Sequence, residues 1–384
     1  MRLIPISCVK EGSILAQTLY DKDGRILLQK GVELNEGLLK KVKDNGTYML
    51  YIHDEYSSNE IEDIIEPKIR IAAINALRET FSSFEKYNKQ LKEKTGSLKE
   101  RQLFKQREDY LQNLSTISKN IVDEISSAKN ILVNLVDIKS LDSYTYEHSV
   151  NVTVLSLVLG VELQLSKNEL YDLAIGAMLH DIGKVFLPKE ILMKKEKLTD
   201  EEYAIAKEHT SRGYHYLKEH YSIPGQARII ALQHHERMNG SGYPNGISGN
   251  QITKLAKIIA ITDTYDAMTS DKPYKKAVTP LEAIEYIMGS AGTLFDFEMA
   301  QTFVRKIIPY PVGTLVRLSN GDYGVVEEVP PNFPLRPKIR IIRQNAVNIE
   351  MVQVDLLKET NLVIEGIQYE APNLSVQHYL KQNK

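Results

Sequence analysis

Seven of the nine histidines in this 384-residue chain fall between His148 and His235, whereas lysine and glutamate are spread along its whole length. His148, His180 with its neighbour Asp181, His209, the doublet His234 and His235, and the later Asp263 all stand in settings that suit metal ligation. Neutral imidazoles and carboxylates bind first-row divalent metals well, and a helical protein builds a metal centre by bringing several of them together from different helices. This set exceeds what one tetrahedral site needs, which points to two ions. Adjacent side chains on a helix diverge by about 100°. His180 and Asp181 therefore serve one centre only near a helix end or by facing two ions, and Gly183 supplies the expected end. Asp181, with one oxygen for each cation, is the expected bridge. Two ions about 3.5 to 4 Å apart can hold a bridging hydroxide, lower its pKa and stabilise charge on a phosphate during in-line displacement. That chemistry favours phosphoester hydrolysis. Lys184, one turn past Asp181, can add a cation beside the non-bridging oxygens.

Taken singly, each residue has a plainer reading. A lone buried histidine is more often a satisfied core residue, an adjacent His-Asp pair can simply hydrogen-bond at the surface, and an aspartate such as Asp263 can cap a helix. The joint clustering carries the metal reading. His215 and His220 lie on the same expected helix as His209 without such a setting and are read as surface residues, as is His53.

The elements that must position these side chains follow from composition and periodicity. With 42% hydrophobic and 26% charged residues, the chain has the make-up of an ordinary globular protein of more than one unit. A net charge of -2 leaves no broad basic surface for a nucleic-acid duplex or an anionic membrane, so phosphate binding must come from a few placed cations. The single cysteine, Cys8, excludes an internal disulfide framework. Arg2, Lys10 and Glu11 interrupt the first apolar residues, and the apolar run from Val150 to Leu163 is too short to span a bilayer. The expected location is cytoplasmic.

The expected fold is mainly α, a helical catalytic domain flanked by smaller units. Residues 1–60 read as a small β-rich accessory unit: Asp23-Gly24 and Lys30-Gly31 turns bracket Ile26 to Leu28, a helix spans Asn35 to Lys43, and Tyr48 to Ile52 forms a strand. Residues 61–135 read as a helical linker that could join two protomers. Its stripes are Ile65, Ile69, Ala72 and Ala76, then Leu111, Leu114, Ile121, Ile125 and Ala128, with a break at Thr95-Gly96-Ser97. Residues 136–308 read as the helical domain that holds the cluster. Ser166 with Glu169, Thr199 with Glu202, and Thr279-Pro280 with Glu282 each predict a capped helix start. Residues 309–384 read as a small β-barrel or β-sheet appendage, with strands at Thr314 to Leu318, Tyr323 to Val329, Lys338 to Ile342 and Met351 to Val354 and a turn at Asn320-Gly321.

The segments Tyr144 to Ser149, His180-Asp181-Ile182-Gly183-Lys184, His234-His235-Glu236, Gly242-Tyr243-Pro244 and Asp263 to Ser270 resemble, in order and spacing, the HD-GYP family of cyclic di-GMP phosphodiesterases. The resemblance covers about residues 136–308. It implies an HD-type helical domain with a centre of two or three metals, commonly iron or manganese, that hydrolyses cyclic di-GMP to linear pGpG and in some members on to GMP. Carried over, one ion takes His148, His180, Asp181 and Asp263, and the other Asp181, His209, His234 and His235. Lys184 contacts the scissile phosphate or the bridging hydroxide. Gly242, Tyr243 and Pro244 shape the substrate pocket, and Lys272 and Lys275 meet the phosphates. Tyr144 stands where three-metal members carry glutamate, so two ions are expected. Lys272 stands where arginine is usual, which keeps the charge but loses the bidentate fork. The flanking β units resemble accessory regions of the family less specifically, and the first is a candidate docking site for a protein regulator. Two alternatives stay open: a slow or inactive cyclic di-GMP sensor acting through partners, and an HD phosphohydrolase for another cyclic dinucleotide.

Overall fold

The computed structural model describes residues 1–370 except 21–24, 46, 48, 55–63, 93–96, 129–132, 134–143, 195, 271–276 and 345–348. The chain divides into two compact units: Met1–Asp63, Asn134–Asp142 and Arg305–Lys384 form one, and Ile64–Val133 with Ser143–Val304 form the other. Among the described residues no helix is long and apolar enough to cross a membrane.

The first unit opens with β1 (Arg2–Pro5), a 3-10 turn (Ile6–Cys8), β2 (Ile14–Leu15), β3 (Leu19–Tyr20), β4 (Ile26–Leu28), α1 (Glu36–Asp44) and β5 (Met49–His53). Its three-stranded sheet runs β1-β5-β2, all antiparallel, beside the β3–β4 pair. Asn35 caps α1 by accepting from the Leu38 amide, as the sequence predicts. The Asp23-Gly24 turn lies outside the described residues. Later in the chain come β6 (Leu315–Leu318), β7 (Tyr323–Glu328), β8 (Lys338–Gln344), β9 (Ile349–Asp355) and β10 (Ile364–Ile367), in the sheet order β10-β6-β7-β8-β9. The Asn320-Gly321 turn joins β6 to β7, with Gly321 at a φ of 87°. The two β regions are joined within this unit. Buried Arg2 donates to Asp54 Oδ2 at 2.6 Å and to the Tyr369 carbonyl at 3.0 Å, and Tyr369 packs on the core of Ile4, Leu15, Leu34 and Leu50.

The second unit is helical: α2 (Pro67–Lys92), α3 (Ser97–Ser127), α4 (Tyr144–Glu162), α5 (Lys167–Leu179), a 3-10 turn (Ile182–Phe186), α6 (Lys189–Leu192), α7 (Asp200–Lys207), α8 (His209–Lys218), α9 (Gly225–Gln233), a second 3-10 turn (Gly249–Gln251), α10 (Lys254–Thr269), α11 (Pro280–Gly289) and α12 (Phe297–Val304). The capping boxes predicted for α5, α7 and α11 are all formed, each a reciprocal pair worth about 1 kcal/mol. The long apolar run of the sequence is α4, buried continuously from His148 to Gly160. A helix apolar all round belongs at the centre of a bundle, and α4 packs on α5 and α10 there. Its polar residues are satisfied inside the bundle: Ser156 bonds Thr262 at 2.7 Å, and Thr153 donates to the Ser149 carbonyl.

The helical pair preceding this core packs within the same unit. Arg70 of α2 donates to Asn151 of α4, and Arg107 of α3 to Tyr216 of α8. The buried stripe of α2 runs through Ala73, Ala76, Leu77, Thr80 and Phe84, while Ala72 is exposed, and Ala128 after α3 is exposed too. Of the stripe predicted from Ile65, Ile69, Ala72 and Ala76, Ile65 and Ala76 are buried and Ile69 is half-buried, and Ala72 alone faces outward, because a small alanine is acceptable on either face of a helix. His220 is a second correction. It is fully buried and bonded through Nδ1 to Glu108 of α3, a tertiary partner that local sequence does not announce.

Candidate metal centre

The core helices deliver their ligand-type side chains from element ends and from inside the bundle. His148 lies in the second turn of α4, His180 caps the C-terminus of α5 with Asp181 just beyond it, His209 opens α8, His234 caps α9 with His235 following, and Asp263 lies inside α10. Three overlapping groups bring their ligand atoms within 4.8 Å of one another: His148, His180 and Asp263; His180, Asp181 and His234; and His209, His234 and His235. The seven side chains converge as the sequence predicts.

Asp181 sits at the junction. Its Oδ2 faces His180 Nε2 at 3.4 Å and His148 Nε2 at 4.0 Å, while its Oδ1 faces His209 Nε2 at 3.5 Å and His234 Nε2 at 3.9 Å. Asp263 is divided in the same way, Oδ1 lying 3.1 Å from His148 Nε2 and Oδ2 3.9 Å from His235 Nδ1. Lys184 also pairs with Asp181 Oδ2.

The outward nitrogens fix the inward ones. His180, His209 and His234 each hold Nδ1 against a backbone carbonyl, of Ala177 at 2.7 Å, Ala206 at 2.7 Å and Ala231 at 3.0 Å. A carbonyl can only accept, so Nδ1 carries the proton and the Nε2 lone pairs point into the cluster. His209 Nε2 and His234 Nε2 stand 3.3 Å apart, and His180 Nε2 is buried without a hydrogen bond. Burial pushes His209 and His234 below the ordinary histidine range and His235 down to about 3, so these rings are neutral near pH 7. Burial opposes charge on Asp181 and Asp263, but Lys184 and His180 beside the first and His148 and His235 beside the second hold both carboxyls well below the usual range. Buried imidazole lone pairs converging on two carboxylates form a donor set that fits divalent cations.

His148 is the exception in charge. Burial lowers its pKa, but the carboxylates of Asp263 and Asp266 outweigh that and lift it to about 9. Its Nδ1 donates to Asp266 Oδ2 at 2.6 Å; Asp266 Oδ1 accepts from Asn151 at 3.2 Å; and Asn151 accepts from Arg70 at 2.8 Å. Asp266, Asn151 and Arg70 thus back His148 through a buried chain of hydrogen bonds that the sequence motifs alone do not predict. The signal available was spacing, since Asn151 follows His148 and Asp266 follows Asp263 by three residues each, one helical turn.

Gly183 has a role other than the predicted one. Helix α5 ends at Leu179, four residues earlier, and Gly183 lies in the following 3-10 turn against α8. A Cβ there would meet the His209 carbonyl oxygen at 1.8 Å and the Gly213 amide at 2.7 Å. The glycine permits close approach of two backbones and is no left-handed cap. Gly242 is similar, a Cβ there meeting His235 O, Glu236 Cα and Arg237 N at 2.5 Å, so the loop from 239 to 246 lies flat on the chain that carries the doublet. Buried Glu236 holds that loop by accepting from the amides of Asn245 at 2.8 Å and Ile247 at 3.2 Å. Tyr243 thereby stacks on His235 with centroids 4.6 Å apart, and Pro244 is half-buried. Lys272 and Lys275 lie outside the described residues.

Residues 123–299 match the family model of the HD domain, and residues 315–370 match that of a KOW domain associated with the HD domain. A cyclic di-GMP phosphodiesterase of Pseudomonas aeruginosa is 39% identical over 243 residues, 62% of this chain and 58% of that protein. One of Thermotoga maritima is 33% identical over 221 residues, 55% of this chain and 60% of that protein. A 3'3'-cGAMP-specific phosphodiesterase of Vibrio cholerae is 37% identical over 193 residues, 49% of this chain and 43% of that protein. The chain therefore spans less than two thirds of the length of each of these relatives. Residues 123–299, which match the HD-domain model, are the part of the chain that carries the ordered motifs and the convergent cluster, and the chain is similar to cyclic dinucleotide phosphodiesterases.

Proposed function

We propose that the chain is a metal-dependent phosphodiesterase that hydrolyses cyclic di-GMP to linear pGpG. The observation that carries the proposal is the division of Asp181, one oxygen toward His148 and His180 and the other toward His209 and His234. Two divalent ions, iron or manganese, supply Lewis-acid stabilisation of phosphate charge and an acidified water nucleophile when bound. His148, His180, Asp181 and Asp263 form one ligand set, and Asp181, His209, His234 and His235 the other. Lys184, drawn to Asp181 and still partly exposed, offers its ammonium to the non-bridging oxygens of a phosphate that reaches the carboxylate. Gly242 and Pro244 set the loop that presents the Tyr243 ring as the wall of the pocket, and Lys272 and Lys275 supply further positive charge.

A second reading, hydrolysis of another cyclic dinucleotide, is favoured by the similarity to the cGAMP-specific enzyme. The test is to incubate protein purified without oxygen with cyclic di-GMP and with 3'3'-cGAMP and to separate the products. Faster conversion of cyclic di-GMP to pGpG supports the proposal, and faster cleavage of 3'3'-cGAMP replaces it with the second reading. Tight binding of cyclic di-GMP by metal-loaded protein with no turnover would make the chain a sensor.

A further inference from the structure

Helix α7 ends two residues before His209, and its Tyr203 and Lys207, four residues apart, share one face. The Lys207 ammonium lies 4.9 Å from the centroid of the Tyr203 ring and 5.9 Å from that of Tyr243. The two rings stand 6.4 Å apart and nearly perpendicular. Tyr243 in turn contacts His235 at 4.6 Å and His209 at 6.3 Å between centroids, so this aromatic group continues directly from the metal-ligating side chains.

Two features of the group are unexplained by packing. Tyr203 remains 49% exposed although it flanks a buried cluster. Lys207 is half-buried, yet among the described residues no carboxylate lies within ion-pairing distance of it, whereas Lys184 pairs with Asp181 and Lys194 with Glu202. A lysine side chain held over two π faces, with no carboxylate beside it among the described residues, is placed to meet an incoming anion. An exposed tyrosine face beside it stacks a heterocyclic base without regard to sequence. Together the two chemistries fit one nucleotide: a base on the ring and a phosphate on the cation.

We propose that Tyr203 and Lys207, with Tyr243, form a nucleotide subsite at the rim of the metal centre, taking the purine and phosphate of the half of a cyclic dinucleotide that is not being cleaved. The inference rests on the proposed function and adds to it the residues that distinguish a dinucleotide from a simple phosphodiester.

The test compares metal-loaded wild type, Tyr203→Leu and Lys207→Met on cyclic di-GMP and on bis(4-nitrophenyl) phosphate, with metal content measured on each sample. Each variant should raise KM for cyclic di-GMP about tenfold, with a far smaller loss on the small diester and metal content held. Tyr203→Phe and Lys207→Arg, which keep the ring and the charge, should recover most of the affinity. Normal wild-type turnover with KM unchanged in both variants overturns the subsite alone, and so does an equal loss on both substrates accompanied by loss of metal. A wild type that cleaves bis(4-nitrophenyl) phosphate but neither binds nor cleaves cyclic di-GMP overturns the proposed function and the subsite with it.

Discussion

Replacing Gly183 by alanine adds one methyl group and should disable the centre without touching a ligand. The new Cβ would lie 1.8 Å from the His209 carbonyl oxygen and 2.7 Å from the Gly213 amide nitrogen. Both are backbone atoms, so no rotamer change relieves the overlap. The turn after Asp181 and the start of α8 must separate by on the order of 1 Å to restore van der Waals contact, whereas a productive ligand set tolerates about 0.5 Å. The displaced residue is His209 itself, and a misplacement of that size costs about 10²-fold in rate. Overpacking adds a stability loss of about 1–3 kcal/mol, which lowers Tm by several degrees in a domain of this size. Metal content, kcat on cyclic di-GMP and a thermal melt on the same sample read all three effects. Gly213→Ala is the comparison, because its Cβ meets Gly183 N at 3.2 Å and Ile182 Cγ2 at 3.4 Å and needs shifts of only a few tenths of an ångström. A folded Gly183→Ala protein with full metal content and wild-type turnover would refute the close-approach argument.

Asp266→Asn removes the anion that holds His148 Nδ1 and should weaken metal binding about 10- to 100-fold, measured by chelator competition; unchanged affinity would mean that His148 is oriented by packing alone. Lys184→Ala should retain metal while kcat falls about 10²-fold, and unchanged turnover would remove its phosphate role. The pKa of His148 is raised from 6.5 to about 9 in the fold, so its protonation stabilises the metal-free protein fully below pH 6.5, and that stability is lost as pH rises through 9. The shift corresponds to on the order of 3 kcal/mol. Binding a cation at Nε2 displaces a proton there, so metal affinity should climb over the same window as metal-free Tm falls. Melts of metal-free protein and metal titrations at pH 6.5, 7.5 and 8.5 would show the two trends, and parallel trends would contradict the assignment.

The sequence made some of this legible for physical reasons that differ from place to place. Capping boxes at Ser166, Thr199 and Thr279 are local chemistry, decided within four residues, and they formed as expected. The convergence of seven ligand-type residues could be inferred because histidines and carboxylates gathered at motif spacing have few other reasons to cluster. What escaped the reading depends on tertiary partners. His220 is buried against Phe84 and Tyr216 and bonded to Glu108, more than a hundred residues away in sequence. Arg70 and Asn151 look like ordinary helix residues until α2 is laid against α4. The phase of α2 at Ala72 is set by what it packs on, since alanine is acceptable on either face. Gly183 stands out beside the His180-Asp181 pair, but whether a glycine serves a turn or a close approach is decided by the neighbouring helix. Strand β10, a short segment with a central glycine and a register shift against β6, carries too little alternation to stand out.

The proposed chemistry requires that Asp181 join two ligand sets and that each set hold an ion. The direct measurement is metal stoichiometry, by elemental analysis of protein purified without oxygen, for the wild type and for Asp181→Ala side by side. About two iron or manganese ions are expected per wild-type chain and nearly none in the variant, because both sets lose an oxygen ligand together. A variant that keeps about two ions would contradict the bridge, and a wild type that takes up no divalent metal would contradict the centre itself.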